Sequence, residues 1–233
     1  MENSSFGRLI GVLVSPGKTF RAIAERPTWA VALAVLLLAS AAIGYVSGTR
    51  TDYRDVITQS IRDSGRDIPP QALESQIEMM EKAGPIISGI GAPVAVLFFS
   101  LLGALIYWIL FKLQGSELSY KSSLATSLHA SMPVVVSLLL SLPVILSRPT
   151  LGYDDVKSGT FLKSNLSFLA PEDAPAWMAA LYASVDFFAI WSLALSIIGY
   201  RASTRLSTRA VAVTVVIVTL VFIAVRVGLS ALR

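Results

Sequence analysis

Residues Thr28–Ser47 read TWAVALAVLLLASAAIGYVS, twenty consecutive positions without a charged side chain. The hydrocarbon core of a bilayer takes about 20 mostly apolar residues of α-helix, so this stretch predicts a membrane span. The composition of the whole chain agrees. Hydrophobic residues make up 54% and charged residues 15%, with a mean hydropathy of +0.67. Soluble domains run at about 45–50% and about 25%. Four further stretches pass the same test: residues 86–113, 122–146, 176–199 and 210–232. The expectation is an all-α integral membrane protein, a five-transmembrane-helix bundle over residues 28–233. Short amphipathic helices are expected in the N-terminus and in the first loop.

Residues 1–27 then form an N-terminal segment. Within it, GVLVSPGKTF (Gly11–Phe20) ends as a phosphate-binding loop ends. The spacing argues against that reading. A P-loop has four residues between its first glycine and the Gly-Lys pair, and here Gly11 and Gly17 are separated by five. Pro16 also lacks an N–H that such a cradle would use. No nucleotide is expected. Ser15-Pro16 instead signals a helix start, with Ser15 as N-cap and Pro16 in the first turn. Phe20 and Ile23 share its apolar face, while Lys18, Arg21 and Arg26 point elsewhere. This is the pattern of an amphipathic helix at a membrane interface.

The rest of the composition excludes several chemistries. There is no cysteine, so disulfides, thiolate metal sites and cysteine nucleophiles are ruled out, and His129 is the single histidine. No metal, no cofactor and no catalytic residue is expected. The net charge of +4 suits membrane lipids with anionic headgroups better than nucleic acid. Lys and Arg are packed densely in the short segments that flank the spans: Arg8 to Arg26, Lys112 and Lys121, and Arg201 to Arg209. The positive-inside tendency places these segments, and the N-terminus, in the cytoplasm.

Two longer loops then face outward. In Asp52–Lys82, Tyr53, Val56, Ile57 and Ile61 follow helical spacing. Pro69-Pro70 breaks the chain, and Leu73, Ile77 and Met80 form a second stripe. The acids of this loop alternate with bases and read as a solvated face. The second loop, Arg148–Pro175, contains the sequon Asn165-Leu-Ser and runs to Trp177, which is expected at headgroup level.

Four segments resemble the Yip (Ypt-interacting protein) family of polytopic membrane proteins in its short prokaryotic form. They are SPGKTFRAIAERPTWAVAL, GALIYWILFKLQGSELSYKSSLATSLHASMPVVV, SVDFFAIWSLALSIIGY and the basic link with the Ala/Val-rich last span. The third matches the family's span-four pattern through Asp186, Phe188, Trp191 and Leu195. The resemblance implies five spans, a cytoplasmic N-terminus and no catalytic reaction. Eukaryotic relatives are associated with small GTPases and vesicle traffic. This chain lacks their long soluble N-terminal region, which points to a prokaryotic plasma (inner) membrane instead.

Several residues stand out against the apolar background. A carboxylate within a span requires a partner, a proton or water, so Asp186 is expected to face the bundle interior. Counted at 1.5 Å per residue, it lies about 15 Å below the outer end of span four. Arg226 lies about 9 Å below that of span five, within reach of an ion pair, or it snorkels to the headgroups. His129 reads as a buried hydrogen-bonding residue of span three. Pro133 and Pro143 are expected to kink that span. Tyr107 and Trp108 read as interfacial anchors. Ser40, Gly44 and Gly48 recur every four residues, a spacing that permits close helix packing within the bundle or between protomers. The leading function is a non-enzymatic scaffold or partner-binding protein that engages a membrane protein or a second copy of itself. The alternative is a small ion or solute transporter or channel using Asp186. An intramembrane hydrolase ranks third, because no Ser/His/Asp order, aspartate pair or metal motif appears.

Overall fold

The computed structural model describes residues 4–159, 161–171 and 174–231. These are helical, with two isolated β-bridges and no strand among them. The helices are α1 (Ser5–Val14), α2 (Pro16–Glu25), α3 (Ala30–Arg50), α4 (Tyr53–Asp63), α5 (Pro70–Leu113), α6 (Tyr120–Ala130), α7 (Met132–Leu146), α8 (Tyr153–Ser158), α9 (Ala176–Ser184), α10 (Phe187–Thr204) and α11 (Thr208–Ala231). Five segments are long and apolar enough to cross a membrane: α3, α5, α6 with α7, α10 and α11. The chain is an all-α membrane protein with five spans. The last two residues of the expected 28–233 domain, Leu232 and Arg233, lie outside the described residues, as do Met1–Asn3 of the N-terminal segment.

The boundaries differ from expectation in four places, each for a local reason. The N-terminal segment holds two helices, not one. Ser4 opens α1 by accepting the Gly7 N–H at 3.0 Å, and the chain turns at Ser15 so that Pro16 can begin α2. Ser15 caps α2 with no side-chain bond; its carbonyl instead accepts the Thr19 hydroxyl at 3.0 Å.

The second helix of the first loop and span two form one 44-residue helix, α5. It runs through Pro85 and Pro93. At 1.5 Å per residue α5 is about 66 Å long, far more than a hydrocarbon core of about 30 Å requires.

Span three is two helices that meet at Ser131. Pro133 falls in the first turn of α7, two residues past the break; with no N–H to offer the His129 carbonyl, it interrupts the span there. Pro143 does lie inside α7. Span four is likewise interrupted, at Val185 and Asp186.

The chain divides into two compact units. Residues 1–36, 97–136 and 163–233 make one, and residues 37–96 and 137–162 make the other. In the first unit, α2 packs on α10 and α6, and α11 packs on α9 and α10. Phe20 and Ile23 are fully buried. The apolar face of α2 thus lies against protein, where each such side chain contributes about 1.5–3 kcal/mol. A second cluster joins Phe111, Leu118, Tyr200, Val211 and Val215. Tyr107 and Trp108 pack against it: Tyr107 stacks on Phe111 and meets Tyr200 at a tilt, and the Trp108 indole donates to the Leu118 carbonyl at 3.1 Å.

In the second unit, α4 folds back on the first turns of α5 through Tyr53, Ile57 and Ile77, with Ile61, Leu73 and Met80 around them. The two stripes read from the sequence meet there. Gly44 and Gly48 of α3 lie directly on α5. A Cβ on Gly44 would sit 2.3 Å from the Ser88 carbonyl oxygen, and one on Gly48 would sit 2.7 Å from Pro85 Cα. Ser40, one turn earlier, is buried and bonds the Leu37 carbonyl. This small-residue stripe serves packing within the chain.

Candidate functional site

The polar residues of the first unit gather at two places. The first is the interruption at Asp186. Its backbone is extended, with φ −117° and ψ 140°, and its side chain caps α10. Oδ1 accepts the N–H groups of Phe188 at 2.9 Å and Ala189 at 3.0 Å, and the Ser164 hydroxyl donates to Oδ2. Aspartate is among the preferred N-caps because its oxygens take up N–H groups that no helical carbonyl can reach. The loop before α9 supplies the remaining partners. The Phe187 N–H donates to the Ser164 carbonyl at 2.9 Å, and the Leu166 N–H to the Val185 carbonyl at 3.2 Å. Together they form a one-residue bridge between Asn165 and Asp186.

This arrangement relocates the carboxylate. The 18-residue helix α10 measures about 27 Å, close to a full hydrocarbon thickness. Asp186 therefore stands at the N-terminal end of α10, the part of this stretch that is long and apolar enough to cross a membrane. Arg226 lies about 27 Å along α11 from Thr208 by the same measure, level with Asp186, but it is exposed and not among the partners of that carboxylate. The expected ion pair is absent. Phe188 and Leu195 of the span-four pattern are buried, and Trp191 is half-buried with its ring near Phe187. Asn165 is only 4% exposed, and its side chain accepts the Ser167 N–H.

The second gathering is a hydroxyl core around Tyr200, which is fully buried. The Tyr200 oxygen lies 3.0 Å from Ser123 Oγ and 2.6 Å from Ser127 Oγ. Ser123 Oγ also donates to the Ala104 carbonyl at 2.8 Å. Thr126 Oγ1 meets Ser203 Oγ at 3.0 Å. His129, one turn along α6, is buried with Nδ1 2.8 Å from the Ala125 carbonyl. Gly199 lets α10 approach: a Cβ there would lie 2.7 Å from Thr126 and 2.8 Å from the Phe20 ring.

Sequence reasoning passed over Ser123, Thr126 and Ser127. The signal was present, since hydroxyl residues at i, i+3 and i+4 share a helix face and bond across helices in membranes. Arg8 was also missed as a structural residue. It is buried, and its Nη1 donates to the Arg26 carbonyl at 2.7 Å and the Thr28 hydroxyl at 2.9 Å. A cation at the C-terminal end of α2 is favoured by the helix dipole.

Chemically, these groups hold helices together. Neither a carboxylate nor an imidazole is among the hydrogen-bond partners of Ser123, Ser127 or Tyr200, so none of these hydroxyls has a base to activate it. No group of three or more potential metal ligands occurs among the described residues. Gly11 and Gly17 lie inside α1 and α2, which leaves no four-residue arc for a phosphate.

Comparison with known proteins places these features in context. A family model described as the Yip1 domain matches residues 10–229. Membrane protein YknW of Bacillus subtilis (strain 168) is 27% identical over 205 residues, covering 87% of this chain and 80% of the relative. No solved structure matches the chain.

Proposed function

Because the chain belongs to the Yip1 domain family of membrane proteins, we propose that it acts without catalysis, as a scaffold that binds a membrane-protein partner. The observation that carries this reading is the state of its buried polar groups. Asp186 is occupied as a helix cap, and the Tyr200 hydroxyls bond one another and the backbone. Groups engaged in this way hold helices in a fixed arrangement. The transporter reading rested on an Asp186 carboxylate free to handle ions, whereas this carboxylate accepts two backbone N–H groups and a serine hydroxyl. The bacterial relative and the basic short links favour a prokaryotic plasma membrane with the N-terminus in the cytoplasm.

The test is crosslinking in native membranes followed by mass spectrometry. A reproducible membrane-protein partner, lost when the Gly199 contact is overpacked, is the expected result. A pH-dependent ion or solute flux in proteoliposomes of the purified chain, abolished by Asp186→Asn, would refute the scaffold.

A further inference from the structure

Helix α1 is turned inside out relative to an ordinary surface helix. Phe6, Ile10 and Val14 are 68%, 66% and 73% exposed. They recur every four residues and so form one stripe along the helix. The buried face carries Arg8, Leu9 and Val12, against α2 and α6. A surface helix normally shows water its polar side; here the apolar stripe is outward and the arginine inward.

Arg8 sets the height of this stripe. Its bond to the Thr28 hydroxyl at 2.9 Å ties α1 to the residues just before α3, whose first residue is Ala30. α1 is thus held at the level where the first span enters the membrane. The charge around it is mainly positive. Arg21, Arg26, Arg201, Arg205 and Arg209 are exposed at this end of the unit, and among the described residues the exposed acids there are Glu25 and Glu117. Glu117 is partly offset by Arg205 at 3.7 Å.

An outward apolar stripe, at span-entry height and beside an excess of cations, matches the boundary between headgroups and acyl chains of an anionic leaflet. We infer that α1 is an in-plane lipid anchor. Phe6, Ile10 and Val14 insert among the acyl chains of an anionic phospholipid leaflet, and the opposite face holds the helix to α2 and α6. The sequence suggested α2 for the interface; in the structure the apolar face of α2 is buried against protein and the stripe of α1 is exposed. The anchor needs no partner protein, so it stands or falls separately from the scaffold.

The chain has no cysteine, so Ile10→Cys and Arg21→Cys each provide a single attachment point for a nitroxide. The full chain is reconstituted in vesicles of phosphatidylcholine with an equal part of phosphatidylglycerol, and in phosphatidylcholine alone. Collision with oxygen should exceed collision with a water-soluble nickel chelate several-fold at residue 10, with the reverse at residue 21. The preference at residue 10 should weaken without phosphatidylglycerol. A label at Phe6→Cys should repeat the result and serves if the Ile10 variant fails to reconstitute. Nickel access at residue 10 equal to that at residue 21 would overturn the anchor. So would spin–spin broadening at residue 10 that vanishes on dilution with unlabelled chain, since it would mean that a second copy covers the stripe. An oxygen preference unchanged by phosphatidylglycerol would overturn the anionic leaflet as the occupant.

Discussion

Gly199 of α10 lies so close to Phe20 of α2 that a single methyl group on it would come within 2.8 Å of the phenyl ring. The contact joins the N-terminal helices to the span that begins with the Asp186 cap. It is also crowded from the other side, by Thr126 at 2.7 Å. Gly199→Ala is expected to lower stability in detergent by about 1–3 kcal/mol, the usual cost of overpacking. Phe20→Ala in the same chain should recover part of that loss by making room. Thermal unfolding of the two single variants and the double variant checks this, and simple additivity would contradict it.

The cap at Asp186 separates aspartate, asparagine and alanine. Asparagine keeps an oxygen for the Phe188 and Ala189 N–H groups; alanine keeps none. Asp186→Ala should therefore cost about 0.5–2 kcal/mol, and Asp186→Asn much less. Arg226→Gln should combine with either change additively, to within about 0.3–0.5 kcal/mol, because the two residues do not touch. A coupling larger than that would restore the ion pair the structure lacks.

Gly44 and Gly48 face α5 backbone, which cannot swing aside as a side chain can. Gly44→Val should leave α3 unable to seat on α5 and should lower stability well beyond the effect of the same change at Gly91, where no atom lies within 4 Å of a built Cβ. Equal melting temperatures for the two variants would count against the packing described. A loss confined to oligomer formation would point to contacts between protomers.

Helix α8 is clamped onto α4 by charge. Asp63 accepts the Tyr153 hydroxyl at 2.7 Å and pairs with Lys157 at 3.0 Å, while Asp55 accepts the Tyr153 N–H at 2.7 Å. The Tyr153 hydroxyl first, and then Lys157, hold the Asp63 carboxyl below its ordinary range. A carboxylate with a depressed folded pKa stabilises above the unfolded value and loses that contribution as pH falls through the folded one. Amide exchange of residues 153–158 should stay slow at the pH where a free aspartate is half protonated. It should accelerate only at lower pH, and Asp63→Asn should abolish that acid step. Because both partners are about half exposed, added salt should weaken the clamp.

The Asp63 clamp was invisible in the sequence. Asp63, Tyr153 and Lys157 carry no local pattern that joins them, and about ninety positions separate the first from the other two. Ser164 and Asp186, 22 positions apart, and Arg8 and Thr28, 20 apart, likewise share no local pattern. The spans, by contrast, were legible because apolar length is a local property, and a bilayer imposes it segment by segment. The apolar stripes of the first loop were legible for a similar reason, since helical periodicity repeats within a few turns.

What the sequence determined alone was the class of protein: five spans, a basic set of short links, and amphipathic helices at the N-terminus and in the first loop. What only the tertiary structure decided was which polar residues are satisfied, and by what. A run of apolar residues around Asp186 looks the same whether the helix continues or stops there. The outcome turns on Ser164 and its neighbours, which arrive from a separate loop to bond the backbone at the break. Likewise Phe20 and Phe6 are equally apolar in the sequence. One is buried and the other exposed because Gly199 leaves room for the first and no described residue covers the second. Periodicity tells which residues share a face; only long-range contacts tell what that face meets.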